Sequence, residues 1–191
     1  MTRVVAFFQP GWADWEAAPI LSLLREYMGG EIRIATPDRG PQTSIGGVRA
    51  AADAAFADIG PGDADLFLAI GSDAWPGYHD EAFFDLLRGA VDGGAIVGAI
   101  CAGTVAAARA GLFEGRAHTS NGREWLSNTA PGYAGVATYV DTPKAVSDGR
   151  VVSAPGSAPQ TFASEIARLI APGSHALLLE RDLLMQREWT G

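Results

Sequence analysis

Short apolar runs of strand length alternate with longer segments of helical spacing along most of the chain. The apolar runs predict buried strands of a parallel sheet, and they are residues 3–8 (RVVAFF), 31–37 (EIRIATP), 65–71 (DLFLAIG) and 95–100 (AIVGAI). Two segments with apolar side chains at helical spacing, residues 14–28 and 81–92, each lie between two of these runs. This alternation predicts an α/β fold around a mostly parallel sheet.

The remaining elements follow from turn residues and local composition. We predict a hairpin over residues 43–56 around Gly46-Gly47, a helix over 104–111, a short strand over 116–121, a helical turn over 124–128, β-rich segments over 136–141, 145–147 and 151–154, and helices over 158–170 and 176–189. Asp14 is a candidate N-cap of the first helix, with Glu16 in its first turn. Because no repeat, low-complexity tract or linker interrupts the pattern, residues 1–191 are predicted to form one domain.

The fourth apolar run leads into a turn that carries the single cysteine. Around Cys101, small residues stand two positions away on either side (Ala99 and Gly103), which is typical of a nucleophile elbow between a strand and a helix. A thiol at a helix N-terminus feels the positive end of the helix dipole and unpaired backbone N–H groups, which favour the thiolate. We therefore predict a reactive Cys101 with a lowered pKa. The alternative is a small core residue, which free cysteine usually is.

Composition and charge limit the cellular compartments and the kinds of partner that are expected for this chain. A chain of 191 residues with 48% hydrophobic residues suits a soluble domain with a sizeable core. A net charge of -8 without a Lys/Arg cluster argues against nucleic acid or an anionic membrane as partner. The lone cysteine excludes an intramolecular disulfide, and Pro10 and Gly11 break the first apolar run before it reaches signal-peptide length, so a cytoplasmic protein is expected. Three scattered histidines without a second cysteine predict no metal site.

Five segments together give the chain a family resemblance. They are PGWADWE, AIGSDAW, AICAGT, LFEGRAHTSN and SAPGSAPQTFASEIA, and they resemble the ThiJ/PfpI family of the class I glutamine amidotransferase-like superfamily, which includes the human Parkinson-disease deglycase. The resemblance implies a flavodoxin-like three-layer sandwich, usually dimeric and without a cofactor. It also implies an active centre made by the elbow cysteine and a glutamate from the loop after the first strand. In this chain these two residues fall on Cys101 and Glu16.

The resemblance gives Glu16 a role beyond that of a first-turn acid. A carboxyl group beside a thiolate is a like-charge pair, which is relieved when one member is protonated, so Glu16 is expected to donate a hydrogen bond to sulfur and to carry protons. Asp14 is the alternative acid. The backbone N–H groups of Ala102 and Gly71 are expected to stabilise an oxyanion.

Other side chains are candidates for the surroundings of the site. Four tryptophans near predicted strand ends or loops suggest a small aromatic pocket, with core or dimer packing as the alternative for each, and Ser72 is expected to narrow it; the tryptophans are Trp12, Trp15, Trp75 and Trp125. Branches of the family that place histidine directly after the cysteine differ from this chain, which has Ala102 there. The histidine of the deglycase branch aligns with Ser120. His118 stands two residues earlier and is either an auxiliary base or a partly exposed structural histidine.

Two functions from different classes use the same pair of side chains. The first is a cofactor-independent cysteine enzyme of the hydrolase or lyase type that acts on a small electrophile, for which the resemblance implies glyoxal-type aldehydes, isonitriles or amides. The second is a non-catalytic redox or stress-response protein in which Cys101 is oxidised to a sulfinic acid stabilised by Glu16. In either case the resemblance implies a homodimer.

Overall fold

A computed structural model describes residues 1–174 of the chain, so the predicted helix over residues 176–189 lies outside the described part. Within residues 1–174 the strands are β1 (Arg3–Phe7), β2 (Glu31–Thr36), β3 (Gln42–Thr43), β4 (Arg49–Ala50), β5 (Ala54–Ala55), β6 (Leu66–Ala69), β7 (Ile96–Ile100), β8 (Val146–Asp148) and β9 (Val151–Ala154). Seven of them form one sheet in the order β5-β2-β1-β6-β7-β9-β8. All neighbours in this sheet are parallel except β8 and β9, while β3 and β4 form the separate predicted hairpin.

Helices cover both faces of the sheet. They are α1 (Asp14–Ser22), α2 (Glu81–Asp92), α3 (Thr104–Arg109), α4 (Arg123–Thr129) and α5 (Pro159–Ile170). Alternate residues of β1 enter different cores: Val5 and Phe7 pack in the core that contains α2 and α3, whereas Val4 and Ala6 pack in the core that contains α1 and α5. A parallel sheet buried on both faces by helices confirms the predicted flavodoxin-like three-layer sandwich.

The start of α1 differs from the prediction. Ala13, not Asp14, is the N-cap residue, and Asp14 is the first residue of the helix. The Asp14 carboxylate instead accepts hydrogen bonds from the Ser44 hydroxyl and from the Gly46 N–H at 2.8 Å. Because both donors lie in the β3–β4 hairpin region, this carboxylate fixes the hairpin against the start of α1.

Three other predicted elements take a different form. The first helix is regular only to Ser22 and continues as one π-helical turn, Leu23–Tyr27, which leaves the Tyr27 side chain exposed. Residues 136–141 contain a 3₁₀ turn, Val136–Thr138, instead of a strand. Residues 116–121 form no strand either, and pair through an isolated bridge between His118 and Tyr139.

In residues 116–121, hydrogen bonds to side chains of β8 and β9 take the place of backbone pairing between strands. The Ala117 N–H donates to Asp148 Oδ2 at 2.9 Å, and the Thr119 N–H donates to Ser153 Oγ at 2.8 Å. Backbone groups held in this way are satisfied without strand geometry, so the period-two alternation of side chains does not apply to this segment.

The strand order places four loops at one edge of the sheet. From β1 the chain passes to β2 and β5 on one side, and then crosses to β6 on the other side of β1. Ligands of open α/β sheets bind at the carboxyl ends of the strands, at such a reversal of direction. The loops that follow β1, β6, β7 and β9 therefore meet where a functional site is expected.

Candidate active site

The predicted elbow is present at the carboxyl end of β7. Cys101 has φ of 56°, a left-handed conformation that residues other than glycine rarely adopt. It begins a 3₁₀ turn, Cys101–Gly103, that leads directly into α3. A Cβ atom at Gly103 would lie 2.2 Å from the Ala69 carbonyl oxygen, so only glycine allows the turn to pack this closely against β6. The elbow holds the thiol half-buried at the sheet edge.

Glu16 is fully buried and faces the same edge. Its Oε2 atom accepts a hydrogen bond from the Gly71 N–H at 2.9 Å, whereas its Oε1 atom has no conventional hydrogen-bond partner. A Cβ atom at Gly156, in the loop after β9, would lie 2.8 Å from Oε1 and 2.8 Å from the Cys101 sulfur. The carboxyl group and the thiol therefore share one small space, which Gly156 leaves open.

Gly71 and Ser72 have roles that differ from those expected. The Gly71 N–H, expected to stabilise an oxyanion, donates to Glu16 instead, and a Cβ atom on Gly71 would lie 2.2 Å from Glu16 Oε2. Ser72 is buried, donates through its hydroxyl to the Pro10 carbonyl at 2.5 Å, and accepts from the Ala74 N–H at 3.1 Å. Glycine at position 71 thus makes room for the acid, and Ser72 fixes the neighbouring loops instead of lining a pocket.

Sequence reasoning missed Asn121, which contacts the sulfur. Its Nδ2 donates to Cys101 Sγ at 3.2 Å, and its Oδ1 accepts from the Gly156 N–H at 2.9 Å. Ser120, which the family alignment placed here, is buried and bonded to Thr104 Oγ1 at 2.6 Å. The side chain that reaches the sulfur is therefore the next residue along the chain, in a segment without strand geometry. The polar Asn121 within RAHTSN was the available signal.

His118 does not belong to the site. Its ring is fully buried and stacks on Phe113 with 4.2 Å between the ring centroids. Nδ1 donates to the Arg116 carbonyl at 2.8 Å, so Nε2 accepts from the Tyr133 hydroxyl. Burial lowers the pKa of His118, which keeps the ring neutral. The prediction of an auxiliary base or a partly exposed histidine is corrected to a buried structural one.

Two of the tryptophans expected in the pocket, Trp12 and Trp75, are core residues. Trp12 stacks on Phe8 with 4.2 Å between the ring centroids, and the buried Trp75 donates through Nε1 to the Ile70 carbonyl at 2.6 Å. The tryptophan beside the site is Trp15, which is 50% exposed and donates through Nε1 to the Gly156 carbonyl at 3.1 Å.

The alternative acid is held away from the thiol. The hydroxyl of Ser44 and the N–H of Gly46 keep the pKa of Asp14 below its usual value. The Asp14 carboxylate is therefore bonded to the hairpin, whereas the Glu16 carboxyl group shares the space of the Cys101 thiol.

The electrostatics of the pair reverse one expectation. Burial raises the pKa of Glu16 to about 7. Burial and the nearby Glu16 carboxylate raise the pKa of Cys101 to about 11, although the Asn121 amide and the Ala102 N–H favour the thiolate. The elbow alone was predicted to lower the thiol pKa. Burial of the thiol has the largest effect and the neighbouring carboxylate adds to it, because two negative charges cannot both be accommodated in this space. Between about pH 7 and 11 the pair carries one negative charge and one proton.

Two further properties bear on the class of protein. Within residues 1–174, the His, Cys, Asp and Glu side chains form no group of three or more that could hold a metal ion. In the same part of the chain, no helix has the length and apolarity that crossing a membrane requires.

Comparison with known proteins agrees with this architecture. A DJ-1 superfamily protein from Agrobacterium tumefaciens has a similar structure, with a TM-score of 0.87 and 36% identity over 98% of this chain and 99% of its own. A ThiJ/PfpI family protein from Bacillus anthracis gives a TM-score of 0.78 and 27% identity over 87% of this chain and 82% of its own.

Sequence comparison gives the same assignment. The Bacillus subtilis protein named uncharacterized protease YoaZ is 31% identical over 126 residues, which is 66% of this chain and 60% of that protein's length. The model of the DJ-1/PfpI family matches residues 2–169. With the elbow, the buried acid and the sheet order in place, the chain belongs to the DJ-1/PfpI family.

Proposed function

We propose that this protein is a cofactor-independent cysteine enzyme that acts on a small electrophilic substrate: a glyoxal-type aldehyde, an isonitrile or an amide. Cys101 is the nucleophile and Glu16 is the proton donor. Family membership supports a shared scaffold for this class of chemistry, while the contacts of Glu16 support the roles of the two residues.

One observation carries the proposal, and it is the unpartnered Oε1 atom of Glu16. An ionised Oε1 buried without a donor is costly, whereas a protonated Oε1 can donate to the adjacent sulfur. Sulfur in turn has donors of its own, from Asn121 and from the Ala102 N–H. Of the two places for the single proton, the one on Glu16 leaves a thiolate, which is the reactive form of the pair, and the donors to sulfur stabilise this form.

This form supports nucleophilic addition with a balanced proton transfer. With an aldehyde, the thiolate sulfur forms a bond to the carbonyl carbon, and the C=O π electrons move to oxygen. Glu16 gives its proton to that oxygen, which leaves a hemithioacetal on Cys101 and a carboxylate at Glu16. After the attack the sulfur is no longer an anion, so the Ala102 and Asn121 N–H groups that donated to it become available to the developing oxyanion.

Turnover of a substrate panel tests the proposal. Representative aldehydes, isonitriles and amides are incubated with the wild type, Cys101→Ser and Glu16→Gln, with Glu114→Gln as the control at an exposed site. We expect one class to be consumed by the wild type and the control, with a loss of at least about 100-fold in the two site variants. Consumption that persists in Cys101→Ser, or no consumption of any class by the wild type, would contradict the proposal.

The donors around sulfur also favour a second candidate function, peroxide sensing. A sulfinate is an acceptor for which Asn121, the Ala102 N–H and a protonated Glu16 are suitable donors. The thiolate reacts with two molecules of hydrogen peroxide to give the sulfinate and two molecules of water.

Mass spectrometry separates this candidate from the enzyme. Stepwise peroxide treatment is followed on the peptide that contains Cys101, in the wild type and in Glu16→Ala. A sensor is expected to stop at the addition of two oxygen atoms only while Glu16 is present. If the wild type passes directly to three oxygen atoms, the site does not protect a sulfinate, and the redox candidate is rejected.

A further inference from the structure

The orientation of the Asn121 amide is fixed by its two contacts. A backbone N–H can only donate, so the side-chain atom that meets the Gly156 N–H at 2.9 Å is the oxygen. The amide nitrogen is then the atom that faces Cys101 Sγ at 3.2 Å. An amide nitrogen donates and cannot accept, so the sulfur receives a hydrogen bond whenever it is ionised.

Hydroxyl groups behind Asn121 fix its backbone relative to the elbow. The Tyr139 hydroxyl accepts from the Ser120 N–H at 3.2 Å and donates to the Ser120 carbonyl at 3.1 Å. Ser120 Oγ meets Thr104 Oγ1 at 2.6 Å, and Thr104 Oγ1 donates to the Cys101 carbonyl at 2.5 Å. The residue before Asn121 is therefore linked, through the Thr104 hydroxyl, to the backbone of the cysteine that Asn121 contacts.

These contacts show what Asn121 can and cannot do. An amide does not gain or lose a proton near neutral pH, so it stabilises a negative sulfur without acting as a base. Of the described side chains whose contacts with the Cys101 sulfur are established, Glu16 is the only one that can carry a proton. The imidazole of His118 is buried elsewhere, against Phe113.

We propose that Asn121 is a third catalytic residue: a fixed hydrogen-bond donor that stabilises the anionic form of the reactive sulfur, while its carbonyl oxygen holds Gly156 at the open side of the thiol and carboxyl pair. The inference rests on the proposed role of Cys101 as a reactive nucleophile. It deepens that role, because a site with one proton carrier and one pure donor suits reactions in which the same proton leaves and returns through Glu16.

Two substitutions separate the two contacts of Asn121. Asn121→Asp keeps an acceptor for the Gly156 N–H and replaces the sulfur donor with a negative oxygen. Asn121→Ala removes both contacts. Asn128→Ala and Asn128→Asp are the matched controls, because Asn128 is an exposed residue of α4.

The measurement is the rate of alkylation of Cys101 by iodoacetamide across pH, which needs no substrate. A hydrogen bond to a charged group contributes about 1.5–3 kcal/mol, so we expect alkylation near neutral pH to slow by about 10-fold or more in Asn121→Ala, and by more in Asn121→Asp. The Asn128 variants are expected to match the wild type. Thermal unfolding is recorded for each variant, and Asn121→Asp remains informative if Asn121→Ala does not fold, because it keeps the Gly156 contact.

Either of two outcomes would overturn the inference. If Asn121→Asp alkylates like the wild type while Asn121→Ala is slow, Asn121 only anchors the loop at Gly156. If both variants alkylate like the wild type, the amide has no influence on the sulfur. Failure of the whole substrate panel would reject the proposed enzyme without changing the alkylation result, so the two proposals fail separately.

Discussion

Two buried acid–base groups, Glu16 and His118, lie in contrasting surroundings. Both nitrogens of His118 have hydrogen-bond partners, and its ring is stacked on Phe113. Glu16 has a partner for one oxygen, and its other oxygen faces a thiol. A buried polar group with all its hydrogen-bond partners contributes to the stability of the fold. A buried polar group that lacks a partner and lies beside a nucleophile can still exchange a proton with it. In this pair of residues, the number of satisfied partners rather than burial distinguishes the group that we propose to be catalytic from the structural one.

The largest expected effect comes from filling the space in front of Glu16. In Gly71→Ala the new methyl group would lie 2.2 Å from Glu16 Oε2 and 2.8 Å from the Cys101 Cβ, so the carboxyl group must move. We expect alkylation of Cys101 to change in pH profile, turnover to fall by about 100-fold, and stability to fall by about 1–3 kcal/mol. Gly77→Ala is the control, because nothing lies within 4 Å of a Cβ atom there. Wild-type kinetics in Gly71→Ala would show that the position of the acid is unimportant.

The next effect is the pH dependence of stability that Glu16 imposes. The folded chain raises the pKa of Glu16 from 4.5 to about 7, so between these values the folded state binds more protons than the unfolded state. Stability contributed by this group is therefore present below pH 4.5 and is lost as the pH rises to about 7. Denaturant titrations of wild type and Glu16→Gln are expected to diverge over this interval by up to about 3 kcal/mol, with the Gln variant gaining. Parallel curves would place Glu16 in a solvated environment.

His118 is expected to change the pH dependence of stability in the opposite sense and to have no effect on the thiol. Burial lowers its pKa from 6.5, so the folded state binds fewer protons than the unfolded state, and stability falls as the pH drops below 6.5. His118→Gln is expected to cost about 1–3 kcal/mol near neutral pH through the loss of its buried hydrogen bonds, and to leave alkylation of Cys101 unchanged. Thermal unfolding and alkylation of the same samples test this. A large change in alkylation would assign His118 a role in the chemistry.

The smallest expected effect is on dimer formation, since a homodimer is what the family resemblance predicted. Trp15, Ile45 and Val48 are large apolar side chains that are at least half exposed, and the hairpin carrying the last two is tied to the start of α1. We expect sedimentation at micromolar concentration to give a homodimer of the 19.9 kDa chain, weakened by Ile45→Asp and Val48→Asp. A monomer at that concentration would contradict the predicted homodimer, because these exposed apolar side chains would then have no partner surface.

The sequence predicted the sheet and the elbow because both depend on local patterns. The apolar run of β7 and the small residues around Cys101 report directly on burial and on turn geometry. Asn121 and Gly156 were missed because their roles arise only when two loops distant in sequence meet. Strand alternation was the wrong guide for the segment that carries Asn121, since side chains from other elements satisfy its backbone.

The same distinction between local patterns and contacts distant in sequence explains why the packing of the tryptophans and the direction of the thiol pKa shift were not predicted. Position near a strand end did not reveal that Trp75 turns inward to the Ile70 carbonyl, since that depends on the packing around it. The effect of an elbow on Cys101 could be reasoned from the sequence. The opposing effect of Glu16 required the distance between two loops, which no local pattern contains.

The left-handed backbone of Cys101 has a consequence for how such a chain can change over generations. A side chain at φ of 56° costs about 1–2 kcal/mol, and glycine alone avoids that cost. Cysteine and glycine codons differ at a single nucleotide. One nucleotide change would therefore remove the backbone strain at position 101 together with the nucleophile. Comparing the melting temperatures of Cys101→Gly and Cys101→Ala would measure the strain separately from the thiol, and so measure what keeping a nucleophile costs the fold.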